Sequence, residues 1–156
     1  MCIRDRLRYV PATIKSRLRT LSEEKVMSTG NFFEIIFPEK KTRIAAEQFS
    51  QLLVKNNGIA TKNSVSEFAN SLQNGIILDN GNHYKYSRRN FYMTVIRTLV
   101  DMGFIQRNVP IWDISKKKTL YVYSRNLLDI PNKPPSVGFW KTSYYICRKW
   151  NDIFIK

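Results

Sequence analysis

Two groups of side chains in this sequence are suited to chemistry, and both are suited to gripping an anion without breaking a bond. Arg88, Arg89, Asn90, Met93, Thr94 and Arg97 fall close together, and three consecutive lysines, Lys116, Lys117 and Lys118, follow further along. An arginine fork can bond bidentately to the edge of guanine and an asparagine amide to adenine, while a threonine or methionine methyl can lie against the thymine methyl. Lysine is a flexible point charge, suited to phosphate; it positions a protein without reading sequence.

Such groups act together only if local structure holds them. Ser87 reads as a helix N-cap, its hydroxyl accepting from a free amide of the first turn. Gly103 suits the left-handed position that ends a helix. Between them Phe91, Val95, Leu99 and Met102 recur at helical spacing and form one apolar face. Asn90, Met93, Thr94 and Arg97 fall on the opposite face, with Arg88 and Arg89 in the first turn. Phe104 onward reads as a strand, and 119–124 alternates with β-branched and aromatic residues. Ser115 and the three lysines lie between, at the tip of a ribbon. Val109-Pro110 inside the first strand demands a break, a bulge or an edge position.

Charge supports the same region. The 156-residue chain carries 26 Lys and Arg against 12 Asp and Glu, a formal charge of +14, which favours a polyanionic partner. Residues 87–125 hold eight basic side chains against Asp101 and Asp113, whereas 27–86 holds six against five acidic ones. The positive charge is thus concentrated on the helix and the ribbon. The cations do not line one amphipathic helix, so a membrane surface is the weaker partner. No apolar run approaches a membrane span or a signal-peptide core. Two cysteines, Cys2 and Cys147, are too few for a disulfide framework and fit a reduced, cytoplasmic setting.

The flanking chain supplies the frame. The opening Met-Cys-Ile-Arg-Asp-Arg resembles translated sequencing-adapter read-through, and Met27 is a candidate start. Residues 13–26 read either as a basic helical arm, with Ile14, Leu18 and Leu21 on one side, or as a tail. FFEIIF, 32–37, reads as a strand or a staple onto the helix that follows Pro38 and runs to about Lys55, with Ala45, Phe49, Leu52 and Leu53 inward and Gly58 as its stop. Ile59-Ala60 fits a bridge strand. Ser64-x-x-Glu67 has the form of a capping box and opens a second helix, with Val65, Phe68 and Leu72 inward. Asn80-Gly81 predicts a small hairpin between that helix and the next. Pro131, Pro134 and Pro135 mark a linker to a last helix, 139–155. Phe139, Ile146, Trp150 and Ile153 lie on one side of it, and Trp140, Tyr144 and Cys147 on another. Two apolar stripes predict either a homodimer through 139–155 or a helix buried against its own domain.

Catalytic patterns are few. His83 is the single histidine, which is too little imidazole for two-histidine nicking enzymes or arginine–histidine–tyrosine recombinases. The cysteines lack zinc-finger spacing, and neither a glycine-rich phosphate loop nor a G-x-S-x-G elbow occurs. A carboxylate–metal nuclease is the one catalytic reading that residue counts leave, and it would need Asp79, Asp101 and Asp113 to converge. Tyr84, Tyr86, Tyr92, Tyr121 and Tyr123 read as stacking platforms for single-stranded bases or as packing residues. The expectation is a protein that is not an enzyme, with no catalytic residues, no metal and no cofactor.

Helix, short strand, helix, helix, then a β-ribbon resembles the winged helix-turn-helix family of prokaryotic and archaeal regulators, over roughly 39–125. The resemblance makes 64–72 the supporting helix, 87–102 the recognition helix and 104–124 the wing. It implies that Arg89, Asn90, Met93, Thr94 and Arg97 face base edges in the major groove, and that Lys116, Lys117 and Lys118 face phosphates. The connector between the last two helices departs from the motif, whose tight turn has about 3–4 residues. The expectation is therefore an α+β, mainly helical chain in three parts: a basic tail (1–31), a winged-helix domain (32–130), and a proline linker with an added helix (131–156). Its expected role is sequence-selective binding of double-stranded DNA in transcriptional regulation. Replication, partition or packaging of DNA, or RNA binding, are the alternatives.

Overall fold

The computed structural model describes residues 31–126 and 138–154. The arm at 13–26 and nearly all of the proline linker lie outside the described residues. The chain is an α+β fold, mainly helical, with a small antiparallel sheet.

Of the two readings of 32–37, a strand or a staple onto the next helix, the strand is corrected: Phe32–Ile36 is a short helix, α1. Asn31 caps it by accepting from the Phe33 amide, and Phe32, Phe33, Ile35 and Ile36 are all buried. A run of five residues broken by a single exposed Glu34 is too short to show a period, so helix and strand look alike in the sequence. Helix α2, Lys40–Lys55, follows, with Ala45, Phe49 and Leu53 in the core. Its exit is tight. The Gly58 amide donates to Leu53 O at 2.6 Å with φ +85°, and a Cβ there would lie 2.3 Å from the Arg125 side chain.

Strand β1, Ile59–Thr61, runs directly into helix α3, Lys62–Asn74. The cap is therefore Thr61 and not Ser64. Thr61 Oγ1 accepts from the Ser64 amide, which leaves Ser64 inside the first turn. The Ser-x-x-Glu pattern predicted the helix but placed its start too late, because the strand-to-helix corner already supplies a hydroxyl.

Strands β2, Ile76–Ile77, and β3, His83–Tyr84, pair as the small hairpin foreseen at Asn80-Gly81. The Tyr86 amide donates to Leu72 O at 2.9 Å, so the excursion closes at its base. The end of α3 and the start of the next helix are adjacent despite the long connector. The hairpin is pinned to α2: Tyr84 donates its hydroxyl to Lys41 O at 2.5 Å, and Thr42 Oγ1 lies 3.1 Å from Tyr86 Oη. Burial pushes the Tyr84 phenol far above its ordinary value, so it remains a donor.

Three consecutive segments, Arg88–Asn90, Phe91–Ile96 and Arg97–Asp101, form one continuous helix, α4. The middle segment is π-helical: the Arg97 amide reaches back to Tyr92 O. Strands β4, Ile105–Asp113, and β5, Lys118–Arg125, make the ribbon, and β5 also pairs with β1, giving the sheet order β1-β5-β4. Gln106 faces Ser124 and Val109 faces Val122, so β4 carries one extra residue, a bulge with Asn108 at φ +56°. Pro110 follows the bulge on the edge strand, where its missing amide costs least.

Helix α5, Gly138–Phe154, folds back on α1 and α2. Two aromatic clusters result. Phe49, Phe68 and Phe91 meet at 5.3–6.0 Å between α2, α3 and α4. Phe32, Phe104 and Trp150 meet at 4.9–5.3 Å between α1, the exit of α4 and α5. No helix among the described residues is long and apolar enough to cross a membrane.

Candidate nucleic-acid interface

Helix α4 buries Phe91, Val95, Ile96 and Leu99 and leaves Arg89, Asn90, Met93, Thr94 and Arg97 exposed, with Met93 at 50%. The apolar face is the one the spacing predicted, with Ile96 added. One wide π turn accounts for that addition, because an inserted residue re-aims everything beyond it. Ser87 Oγ accepts from the Asn90 amide, as expected of its cap, and Gly103 ends the helix at φ +82°.

Arg88 stands apart from its neighbours. Its guanidinium donates to Asn70 Oδ1 at 2.7 Å, Ser66 O at 3.0 Å and Ser66 Oγ at 3.1 Å, and it lies 5.2 Å from the Tyr92 ring centre. Its amide donates to Gln73 Oε1. Arg88 ties α4 to α3, where the sequence grouped it with the exposed cations. Arg88→Ala is expected to lower stability by about 1–2 kcal/mol, since several charge-assisted bonds are lost at a half-exposed site. Lysine should not rescue it, because one ammonium cannot span three acceptors. Urea unfolding of the two variants checks this, and wild-type stability in both would show the guanidinium to be uncommitted.

Arg97 is also partly engaged, with Nε 3.7 Å from Asp101 Oδ2 one turn on. That pair is exposed and worth little, so it orients the side chain without consuming it.

At the ribbon tip the Asp113 carboxylate organises the turn. Its Oδ1 accepts from the Ser115 hydroxyl at 2.7 Å and from the amides of Ser115 and Lys116 at 3.0 and 3.3 Å. These bonds, that of the Ser115 hydroxyl foremost, hold the Asp113 carboxyl below the usual carboxylate range. Lys117 takes φ +50°, and Lys118 opens β5 opposite Asp113. All three lysines are exposed. Lys116 and Lys118 also face α3. Together with Thr61, Lys62, Asn63, Thr119, Leu120 and Tyr121 they line a recess of about 300 Å³. Lys62 belongs to this cationic group, and only its place in space reveals it.

A polar recess of about 380 Å³ lies beside the exposed face of α4, lined by Glu39, Lys41, Thr42, Tyr86, Ser87, Asn90 and Thr94. Another, of about 480 Å³, lies between α1, α2 and α5, where Asn31 Nδ2 donates to Glu47 Oε1 at 3.5 Å and burial pushes the Glu47 carboxyl up. Asp79, Asp101 and Asp113 do not converge. Among the described residues no three of His, Cys, Asp and Glu are grouped to hold a metal ion. His83 is exposed on β3, opposite Ile77. Comparison with protein-family models, curated proteins and solved structures returned no match.

Proposed function

We propose that this chain is a winged helix-turn-helix protein that binds double-stranded DNA without catalysis, most simply as a transcriptional regulator. Helix α4 is its recognition helix, α3 its support and the β4–β5 ribbon its wing. The sheet order, with β1 paired to the last strand, supports this assignment, as does the closed base of the β2–β3 excursion, which keeps α3 and α4 adjacent. The observation that carries it furthest is the exposed set Arg89, Asn90, Met93, Thr94 and Arg97 on one helix, with the cationic tip of Lys116, Lys117 and Lys118 on the ribbon that follows it. The first set has the chemistry for base edges and the second for phosphates.

Selection of bound sequences from a random duplex pool tests the reading, and a sharp consensus is the expected result. Arg89→Ala and Arg97→Ala should each cost about 1–3 kcal/mol on the selected site and relax preference at one position. Alanine at Lys116, Lys117 and Lys118 should weaken all sequences alike. Loss of specificity in the lysine variant alone would reverse the roles of helix and ribbon.

A homodimer through 139–155 draws little support from this geometry. Tyr144, Ile146, Cys147, Trp150 and Asn151 are buried within one chain. Arg148 and Asp152 are left exposed, with Tyr145, Ile153 and Phe154 half-buried. Sedimentation of the full chain at tens of micromolar, where roughly −6 to −7 kcal/mol of association would register, decides it.

A further inference from the structure

Exposure alternates along the ribbon. Val109, Ile111, Leu120 and Val122 are half or fully buried, whereas Pro110, Trp112, Thr119 and Tyr121 are exposed. Pro110 pairs with Tyr121 and Trp112 with Thr119, so the two rings occupy diagonal positions on the outer face of one ladder. Trp112 is 63% exposed and Tyr121 53%. An inward tryptophan would be core; an outward one beside a tyrosine is a flat apolar surface that no described residue covers.

The surrounding charge restricts what can cover it. Tyr121 lines the same recess as Lys62, Lys116 and Lys118. The one carboxylate at the tip, Asp113, is turned onto the amides of its own turn. A partner for this face therefore carries negative charge and flat apolar groups together. A closed duplex offers phosphates but keeps its base faces stacked inside, so rings outside the helix find nothing to stack on. An unpaired strand offers both. Aromatic rings beside a cationic groove are the general means of holding such strands, because every base has a π-face.

We propose that the β4–β5 ribbon binds an unpaired nucleotide strand, with bases stacked on Trp112 and Tyr121 on its outer face and the backbone carried past the ribbon edge to Lys62, Lys116 and Lys118 in the recess that Tyr121 also lines. This mode does not require α4 to read a major groove, and it is separable from the duplex binding proposed above. Neither ring is buried, so their removal leaves the core intact.

The test compares a fluorescently labelled oligothymidylate with a duplex of equal length on the full chain. Trp112→Ala and Tyr121→Ala are each expected to weaken oligothymidylate binding about tenfold or more, leaving duplex affinity unchanged. Arg89→Ala/Arg97→Ala should do the reverse. Oligothymidylate should quench tryptophan emission in the wild type. Trp112→Phe should abolish that quenching while binding persists, because Trp140 and Trp150 remain as emitters. Wild-type oligothymidylate affinity in the Trp112→Ala/Tyr121→Ala variant would overturn the proposal. So would equal losses on single strand and duplex, which would make the face part of the duplex contact. Two further results would overturn it by naming another occupant: dimer dissociation in the aromatic variant, or sedimentation with phosphatidylserine vesicles that needs Trp112 while oligothymidylate does not bind. Failure of duplex selection alongside intact, ring-dependent oligothymidylate binding would remove the regulator reading and leave this one standing.

Discussion

Trp150→Ala is expected to destabilise the folded chain by about 3–5 kcal/mol, a large share of the roughly 5–15 kcal/mol that holds an ordinary domain together. Trp150 is fully buried and closes the cluster of Phe32 and Phe104, with Phe154 4.9 Å from its ring. Its indole Nε1 donates to Asn126 O at 2.7 Å. Asn126 in turn donates its amide to Phe104 O and its side-chain Nδ2 to Gly103 O. A single asparagine at the base of the ribbon thus joins the exit of α4, the entry to β4 and the last helix. Arg125 adds a second tie, with its amide on Gly58 O and its guanidinium 5.0 Å from the Phe154 ring centre. Removing the indole opens a cavity among rigid rings and leaves the Asn126 carbonyl without that donor. Urea titration should show the midpoint falling by roughly 1–3 M, and Trp150→Phe should recover most but not all of it. A loss below about 1 kcal/mol would mean that α5 is not part of the core. Cutting the chain before α5 is accordingly a poor probe of oligomeric state, since it would expose Phe32 and Phe104.

The contrast between α4 and α1 shows which information the sequence carried. Helix α4 was legible because its apolar residues recur on one side between a serine and a glycine, and each signal has a local cause. The ribbon was legible for the same reason, down to the irregularity at Val109-Pro110. Helix α1 was not, because FFEII is a five-residue run with one exposed position, Glu34, too short to show a period of either kind. The cap of α3 was misplaced by three residues because Ser64 and Thr61 are chemically equivalent, and only the pairing of β1 with β5 puts Thr61 at the corner. The π turn has no sequence marker. Its consequence is visible only in Ile96, which joins Phe91 and Val95 in the core.

Among the candidate site residues, the sequence supplied charge and type but not commitment. Arg88 and Arg89 are neighbours of one kind, yet Arg88 is consumed by acceptors on α3 that lie far away in the sequence. Lys62, apart from every basic run, joins the ribbon lysines around one recess. Trp112, the one aromatic residue of β4, is not marked as outward by its sequence, because outward and inward positions differ only in register. Each miss is a tertiary fact, set by which surfaces the chain brings together.

These commitments set the size of the last expected effect, the salt dependence of duplex binding. Arg88 is engaged with α3, and Arg125 is partly buried against Phe154, so neither counts as a free phosphate donor. Arg89, Arg97, Arg107, Lys62, Lys116, Lys117 and Lys118 are exposed and remain. At about −0.9 per neutralised phosphate, six or seven contacts give a slope of log K against log salt of roughly −5 to −6. Affinity should then fall about 1000- to 4000-fold between roughly 50 and 200 mM salt. Alanine at Lys116, Lys117 and Lys118 should flatten the slope by roughly 2.7, and Arg88→Ala should leave it unchanged. A slope steeper than about −7 would require cations beyond these seven, from the basic arm at 13–26 or from Arg88 and Arg125, whereas one shallower than about −2 would sink the cationic footprint altogether. The measurement is a titration at several salt concentrations on one duplex, and it separates the two arginines side by side in the sequence by what each already holds.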